Sequence, residues 1–561
     1  MSRIKYEIPD WLGQEPVVPD DQISETLEFD IVVCGGGHAG TSVAHAAAHE
    51  GASVAVLELQ SREEYHFLGE QIGHFNSKLL RDRGVKPVEN LEEVVAEFQK
   101  RSFNYSNPNL IRKYVYNCGE MVDELMALIP EDSDILKNAN VHLPWDHEHK
   151  NYPLERGGYK TWAGTIEFRK GVLTEPILGV GSHSNLTEVE MYMVADAEAH
   201  GAKWFYETDC YVLTKDGDRV TGVIGKDRSG KYTKYLARKG VALCLGDFGL
   251  NTDMVIALLD ELRELAEVRG QDPSTIRSAG HGDKLQPWGN YGQGHKLGCW
   301  AGGHIENGPR AWMRLEGIGG SFGFMTMLAL NCRGERFMDE SIYAGMPMQV
   351  ARQPLGTIVG LSDCRIIEYY KYATLEHGQP DFGRPEYQEQ LKEDFEYMIT
   401  NMVDKYPLRS CSITERMPAG EFYVANTIEE LAAKLGYKGK DYDNFIESVK
   451  RYNELCRAGR DTDFGKDKEL LWPIEKAPFV ACKSDNLHVN AGLVTLAGLE
   501  VDNNQQVLSE DGKNPIPGLF TSGNNCGGRY AIGYACPVGG NSIGMAKTLG
   551  RELGKYMAHL D

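Results

Sequence analysis

Two stretches of the chain, separated by nearly its whole length, carry residue types that could do chemistry. In the first, Gly35, Gly37 and Gly40 stand at G-x-G-x-x-G spacing after an apolar run, Phe29 to Cys34. An alanine-rich helical stretch follows, then a second apolar run, Ser53 to Leu57, that ends in Glu58 and Leu59. This spacing suits a dinucleotide: one glycine makes a tight turn, one admits a pyrophosphate to the backbone, and one lets a helix lie on a strand. The first helical N–H groups, at His38 and Ala39, offer a positive dipole end to the phosphates. The His38 side chain fills a variable slot and reads as a bystander, while Glu58 sits where a carboxylate accepts hydrogen bonds from a ribose. The motif by itself does not separate FAD from NAD. The second stretch, GGRYAIGYACPVGGNSIG at 527–544, sets Arg529, Tyr530 and Tyr534 among glycines, just before a helix-like run. Ordering so much glycine costs backbone entropy, so this loop is either a connector or lies against something.

The elements that must position these residues follow from the pattern. Strand, glycine turn, helix, strand and acid in that order predict a Rossmann-like α/β unit. With 561 residues, the chain is long enough for two or more lobes. Its 42% hydrophobic and 25% charged residues are those of a globular protein, with disorder expected at most in the N-terminal extension. Lys and Arg total 59 against 81 Asp and Glu, and a net charge of −22 argues against nucleic acid and membrane surfaces as partners. The N-terminal residues lack the basic start and apolar core of a signal peptide, so a cytoplasmic location is expected. The twelve cysteines form no CxxC pair, and no metal is expected; His147 and His149 read as loop residues.

Several segments, in the same order along the chain, resemble the FAD-binding oxidoreductases of the fumarate reductase and 3-ketosteroid dehydrogenase type. GDRVTGVI at 217–224 and ALCLGDFGLN at 242–251 are similar to that family's strand pair and ATGGFxxN turn, with Gly246, Asp247 and Asn251. NYGQGHKLGCWAGGHIEN at 290–307 resembles its TGDGxxMAxxAGA helix start, and LALNCRGERFMDES at 328–341 its LVNxxGxRFxNE hairpin. NPIPGLFTSGNNCGG and VGGNSIGMAKTLGRELG are similar to PIPGLYAAGExxGG and GGNSLxxAxxFGRxAG, bringing in Gly523, Asn524, Gly539, Gly540, Asn541, Ser542 and Ile543. The resemblance implies FAD as cofactor. It implies a glutathione-reductase-type Rossmann-like FAD-binding domain at 28–308 and 477–561, after an N-terminal extension at 1–27. An α+β capping or substrate domain at 309–476 would interrupt it, with 412–436 as an acid-rich helical region. It also implies that the glycines at 527, 528, 539 and 540 let the C-terminal loop lie along the flavin, with the following helix N-terminus facing the ring edge that gains negative charge on reduction.

The chain departs from fumarate-reducing members of that family. Ala344 and Pro537 stand where their carboxylate-binding arginines would be, and no histidine lies between His304 and His377. Aromatic residues stand nearby instead: Tyr343 beyond Glu340, and Tyr530 and Tyr534 beside Arg529. In the ketosteroid dehydrogenase branch one tyrosine exchanges the proton next to the carbonyl and another polarises that carbonyl. Here the registers differ: Tyr343 is three residues past Glu340, and Cys536 aligns with the loop tyrosine, two residues from Tyr534. The resemblance thus implies a hydride passed between flavin N5 and the carbon β to a carbonyl, with Tyr343, Tyr534, Tyr530 and Arg529 as catalytic candidates and His488 as a further one. The expected activity is reduction of a C=C bond in a bulky apolar enone such as a 3-oxo-Δ4 steroid or bile acid, in an anaerobic setting. The alternatives are the oxidative ketosteroid dehydrogenase reaction, reduction of a small acid such as fumarate or urocanate, and a non-catalytic electron carrier. No second nucleotide motif or haem motif is present in the sequence, so the electrons are expected from a redox partner, reduced flavin or NAD(P)H.

Overall fold

The computed structural model describes residues 4–69, 71–168, 185–278, 289–313, 327–342, 349–350, 352–354, 357–372, 385–409, 418–485, 489, 491–534 and 536–561. Strand β1 (Ile23–Cys34) ends in four residues, Ile31 to Cys34, with no exposure, as a strand covered on both faces requires. The glycine turn leads into α1 (His38–His49), and the chain returns through β2 (Val54–Leu57). A helical region follows, with β3 (Gln71–Gly73), α2 (Leu91–Arg101), α3 (Pro108–Ala127), β4 (Ala139–Val141), β5 (Thr165–Phe168) and α4 (Leu186–Ala199). Next come β6 (Lys203–Phe205) and a meander of β7 (Thr208–Asp216), β8 (Arg219–Asp227) and β9 (Tyr232–Leu243), and then α5 (Gln293–Trp300). Beyond them lie β10 (Leu328–Asn331), β11 (Thr357–Asp363), β12 (Tyr406–Arg409), β13 (Pro418–Ala425), α6 (Ile428–Lys434), α7 (Gly439–Ala458) and β14 (Phe479–Asp485). The last elements are β15 (Gln506–Leu508), β16 (Pro515–Thr521) and α8 (Asn541–Ala558).

The first sheet runs β15-β16-β9-β1-β2-β6, with β8 added antiparallel to β9 and β7 antiparallel to β8. Its inner pairs are parallel, and their registers bring the ends of four strands level: Cys34 lies opposite both Leu57 and Leu243, and Leu243 opposite Thr521. Open parallel sheets bind ligands beyond such strand ends. The turns after them hold Gly35, Glu58, Gly246 and Gly523, four positions that the sequence marked from separate motifs.

Helix α8 lies against α1 because it presents glycine there. A Cβ at Gly550 would meet Ala39 O at 2.5 Å, and one at Gly554 would overlap Val43 O. The second sheet, β10-β11-β14-β13-β12, is antiparallel throughout, and α6 and α7 cover it with Leu431, Leu435, Phe445 and Val449. Among the described residues no helix is long and apolar enough to cross a membrane.

Three pairings lie close to the expected boundaries. Strand β1 begins at Ile23, paired with Tyr232, so the first sheet starts before residue 28. Residues 312 and 313 pair with 494 and 495, which ties them to the first lobe, and β14 pairs with β11 from Asp363↔Phe479 to Thr357↔Asp485. These pairings set residues 312–313 beside 494–495 and residues 479–485 in the second sheet. Within 412–436, read as helical, residues 418–425 form β13, since tertiary pairing with β14 outweighs local helix preference there.

Candidate active site

The three motif glycines differ in what surrounds them. Gly35 has φ +91°, and a Cβ on it would meet Cys244 O at 2.5 Å. A Cβ at Gly40 would fall inside contact distance of the Gly35 carbonyl oxygen, so only glycine lets α1 sit this close to the turn. Gly37 is the N-cap of α1, and a Cβ there would meet nothing within 4 Å. A glycine cap leaves the first N–H groups of the helix without a side-chain partner, facing open space.

Around this turn the side chains are fixed by one another. Glu58 is buried; its carboxylate accepts the N–H of Gly36 at 2.8 Å and of Gln60 at 2.9 Å. Burial pushes its pKa up against the pull of those N–H groups. The Tyr65 hydroxyl donates to Gly36 O. His38 is engaged at both ring nitrogens, with Glu190 at 2.9 Å and Leu68 O at 2.7 Å. Glu190 in turn receives Lys547 Nζ on both oxygens at 2.8 Å, and both side chains have no exposure. This ion pair joins α4 to α8 beside the start of α1. Sequence reading missed Glu190 and Lys547, because neither stands in a motif.

After β9, Gly246 has φ +80° and lies 2.6 Å, measured from a built Cβ, from Asn290 Oδ1. Asp247 is buried and accepts Thr495 N–H at 2.6 Å and Gly249 N–H at 3.1 Å. Asn251 caps the next helix through Met254 N–H at 3.2 Å. The side chains of both residues therefore serve the protein, which leaves the backbone of this turn to meet a ligand. Buried His295 on α5 accepts Asn525 Nδ2–H at Nδ1 and donates from Nε2 to Ala497 O, both at 3.0 Å, and Asn525 Oδ1 receives the Leu245 N–H. This fixes a neutral imidazole.

His74 and His295 are fully enclosed, and loss of hydration lowers each pKa from 6.5 to about 4. A folded-state value below the unfolded one means that the unfolded chain binds more protons between the two, so the stabilisation is complete above pH 6.5 and is lost as pH falls through 4. Each histidine should contribute a slope of up to about 1.4 kcal/mol per pH unit in that window. Urea midpoints from pH 7 to 4 will check this: His295→Gln should flatten the slope, and an unchanged slope would rule out the neutral buried imidazole.

The C-terminal loop closes the same edge. Buried Arg529 donates from Nε to Cys526 O at 2.9 Å and from Nη2 to Asn524 Oδ1 at 3.0 Å, while its Nη1 has no partner. Tyr530 lies under the guanidinium at 5.1 Å, and its hydroxyl accepts Asn541 Nδ2–H at 2.9 Å. The Tyr534 hydroxyl accepts the N–H of Ser542 at 3.0 Å, at the start of α8. Burial raises the pKa of both phenols, so each keeps its proton. Below the loop, Glu306 accepts the N–H groups of Gly498 and Gly528, and desolvation pushes its pKa up to about 7.

The crowding at the loop glycines comes from protein. Gly540 has φ +72°, and a Cβ on it would meet the Gln71 backbone at 2.7 Å; at Gly539 it would meet Thr165 Oγ1 at 2.8 Å and at Gly527 Leu499 O at 2.7 Å. Next to them, Ile543 reaches Gly69, and Pro537 O accepts the Trp162 N–H at 2.9 Å. Tyr343, Ala344 and His488 lie outside the described residues. His147 and His149 do not converge: one pairs with Tyr152 and the other with Asp146.

The donor set fits a dinucleotide flavin. The open Gly37 cap, the Glu58 turn and two buried oxygens without partners, Ser522 Oγ and Asn541 Oδ1, all follow the level strand ends or the start of α8.

The comparisons agree with this geometry. A family model described as FAD binding domain matches residues 30–543. Vinyl phenol reductase of Lactiplantibacillus plantarum is 25% identical over 94% of this chain and 96% of its own length. The 3-oxosteroid 1-dehydrogenase of Mycolicibacterium smegmatis is 24% identical over 95% of this chain and 97% of its own. The structure of 3-ketosteroid-Δ4-(5α)-dehydrogenase from Rhodococcus jostii, in complex with 4-androstene-3,17-dione, has a TM-score of 0.63 at 20% identity, covering 96% of this chain and 99% of that one, a likeness of fold.

Proposed function

We propose that this chain, which belongs to the FAD binding domain family, is an FAD-dependent oxidoreductase acting on CH–CH bonds that reduces a C=C bond conjugated to a carbonyl in a bulky apolar enone, such as a 3-oxo-Δ4 steroid or bile acid. The observation that carries the reading is the loop of buried Arg529 and Tyr530 and half-buried Tyr534 before α8, with one guanidinium nitrogen unpartnered among the described residues. When bound, FAD supplies the hydride that reaches the carbon β to the carbonyl. Arg529 Nη1 and the Tyr534 hydroxyl are proposed to hold the substrate oxygen, stabilising the negative charge that develops on it. Tyr343 is proposed to deliver the proton to the α carbon, with Tyr530 packed under Arg529 as its support. The start of α8 adds a positive dipole end to this edge. Reducing equivalents would come from a redox partner, reduced flavin or NAD(P)H.

A second reading is supported by Arg529 together with the vinyl phenol reductase relative: the substrate is a hydroxylated styrene, whose phenolic oxygen is held at the position proposed for the carbonyl oxygen, without its role in taking up charge.

Anaerobic reoxidation of the dithionite-reduced protein tests both readings. Rapid return of the flavin absorbance with a 3-oxo-Δ4 steroid, and none with fumarate or urocanate, supports the first; return only with a vinyl phenol supports the second. A response to fumarate alone would defeat both. With the active substrate, Tyr343→Phe should slow reoxidation by about 10²–10⁴-fold while FAD stays bound, and an unchanged rate would remove Tyr343 as proton donor.

A further inference from the structure

Away from this edge, the last turns of α1 and α4 bring an unexplained group of ligand-type side chains together. His45 and His49 are one helical turn apart on α1, so they share a face, and both point their Nε2 atoms at one oxygen of Asp196 on α4, at 2.9 and 2.5 Å. These ligand atoms all lie within 4.8 Å of one another. His200, one turn beyond Asp196, stacks on His49 with ring centroids 3.8 Å apart and is held by its Nδ1 on Asp196 O at 2.8 Å.

We propose that His45, His49 and Asp196 bind a divalent transition-metal ion of the Zn2+ class and that the ion ties α1 to α4. Two imidazoles and a carboxylate form a ligand set suited to Zn2+, Ni2+ or Cu2+ and poor for Mg2+ or Ca2+. Three protein ligands leave a fourth position for water, and His49 and Asp196 are exposed enough for an ion to enter. With bond lengths of about 2.0–2.1 Å, tetrahedral ligands stand about 3.3 Å apart, so the pairs at 2.9 and 2.5 Å must open by less than about 1 Å. Both helices end here, so two negative dipole ends face the ion. One divalent ion satisfies all three ligands at once. The nearby Lys547 is already neutralised by Glu190.

The test uses FAD-loaded protein stripped with EDTA and dialysed against zinc chloride. Wild-type protein should retain one equivalent of Zn2+ more than His49→Asn or Asp196→Asn, or bind it at least about tenfold more tightly. Zn2+ should raise the unfolding temperature of the wild type and not of the variants, while Mg2+ at equal concentration has no effect. His49 and Asp196 are partly exposed, so both variants keep the fold. Equal binding by wild type and variants, or no binding by the wild type, would overturn the site.

Discussion

Gly40→Ala should destabilise the folded protein by about 3 kcal/mol or more and leave it without FAD, whereas Gly37→Ala should keep the fold and lose the cofactor. A methyl at position 40 collides with the backbone carbonyl of Gly35, and neither partner is the end of a flexible side chain. Relief requires lifting α1 off β1, which disturbs the Ala and Val packing beneath it, and overpacking of this kind costs about 1–3 kcal/mol even where side chains can adjust. At position 37 the methyl meets no protein atom, and φ −64° suits alanine, so the protein loses at most about 1 kcal/mol through the altered cap. The methyl does stand in the space before the first N–H groups of α1, where a pyrophosphate must approach. The ratio of flavin to protein absorbance after purification, with FAD titration of the apoprotein, separates the two. Wild-type affinity in Gly37→Ala would mean that the phosphates lie elsewhere.

Lys547→Met should cost about 3–5 kcal/mol, because it leaves the Glu190 carboxylate buried without its cation. His38, which meets only Oε1, does not replace a lysine that meets both oxygens. Adding Glu190→Leu should recover much of the loss, since an apolar pair removes the stranded charge. The pH dependence gives a second signature. With Lys547 present, Glu190 titrates at about 2 against 4.5 when unfolded, so its stabilisation is complete above pH 4.5 and is lost as pH falls through 2. Without Lys547, burial raises the carboxyl above its unfolded value, and the sign reverses: the variant becomes less stable as pH rises from 4.5. Urea melts of the single and double variants between pH 4 and 8 will decide, and a single variant within 1 kcal/mol of wild type would show that the pair carries little.

What could be read before the fold was known follows the reach of each interaction. Strand, glycine turn, helix and Glu58 are contiguous, so their spacing alone predicts the strand–turn–helix–strand order that the fold shows. Gly246 and Gly523 were legible through resemblance, and the sheet register shows why they belong together: they follow strands that end level with β1. Glu190 and Lys547 were not legible, since their meaning lies in a contact between helices remote in sequence. The pairing of the strand at 479–485 with 357–363 was not legible, because a short apolar run does not say which sheet will take it. The loop glycines were read as making room for a cofactor, but what crowds Gly539 and Gly540 is Thr165 and Gln71, partners that no local pattern names.

The packing of α8 on α1 also bears on how the protein is made. The cradle uses the turn at 35–40 and the helix at 541–558, and Gly550 and Gly554 lock the second against the first. A ribosome makes that helix long after the glycine turn, so the turn waits, half-walled, until the helix emerges. Closure of the nucleotide edge is therefore expected only after that helix has joined the turn, across a long-range contact that no local segment can make alone.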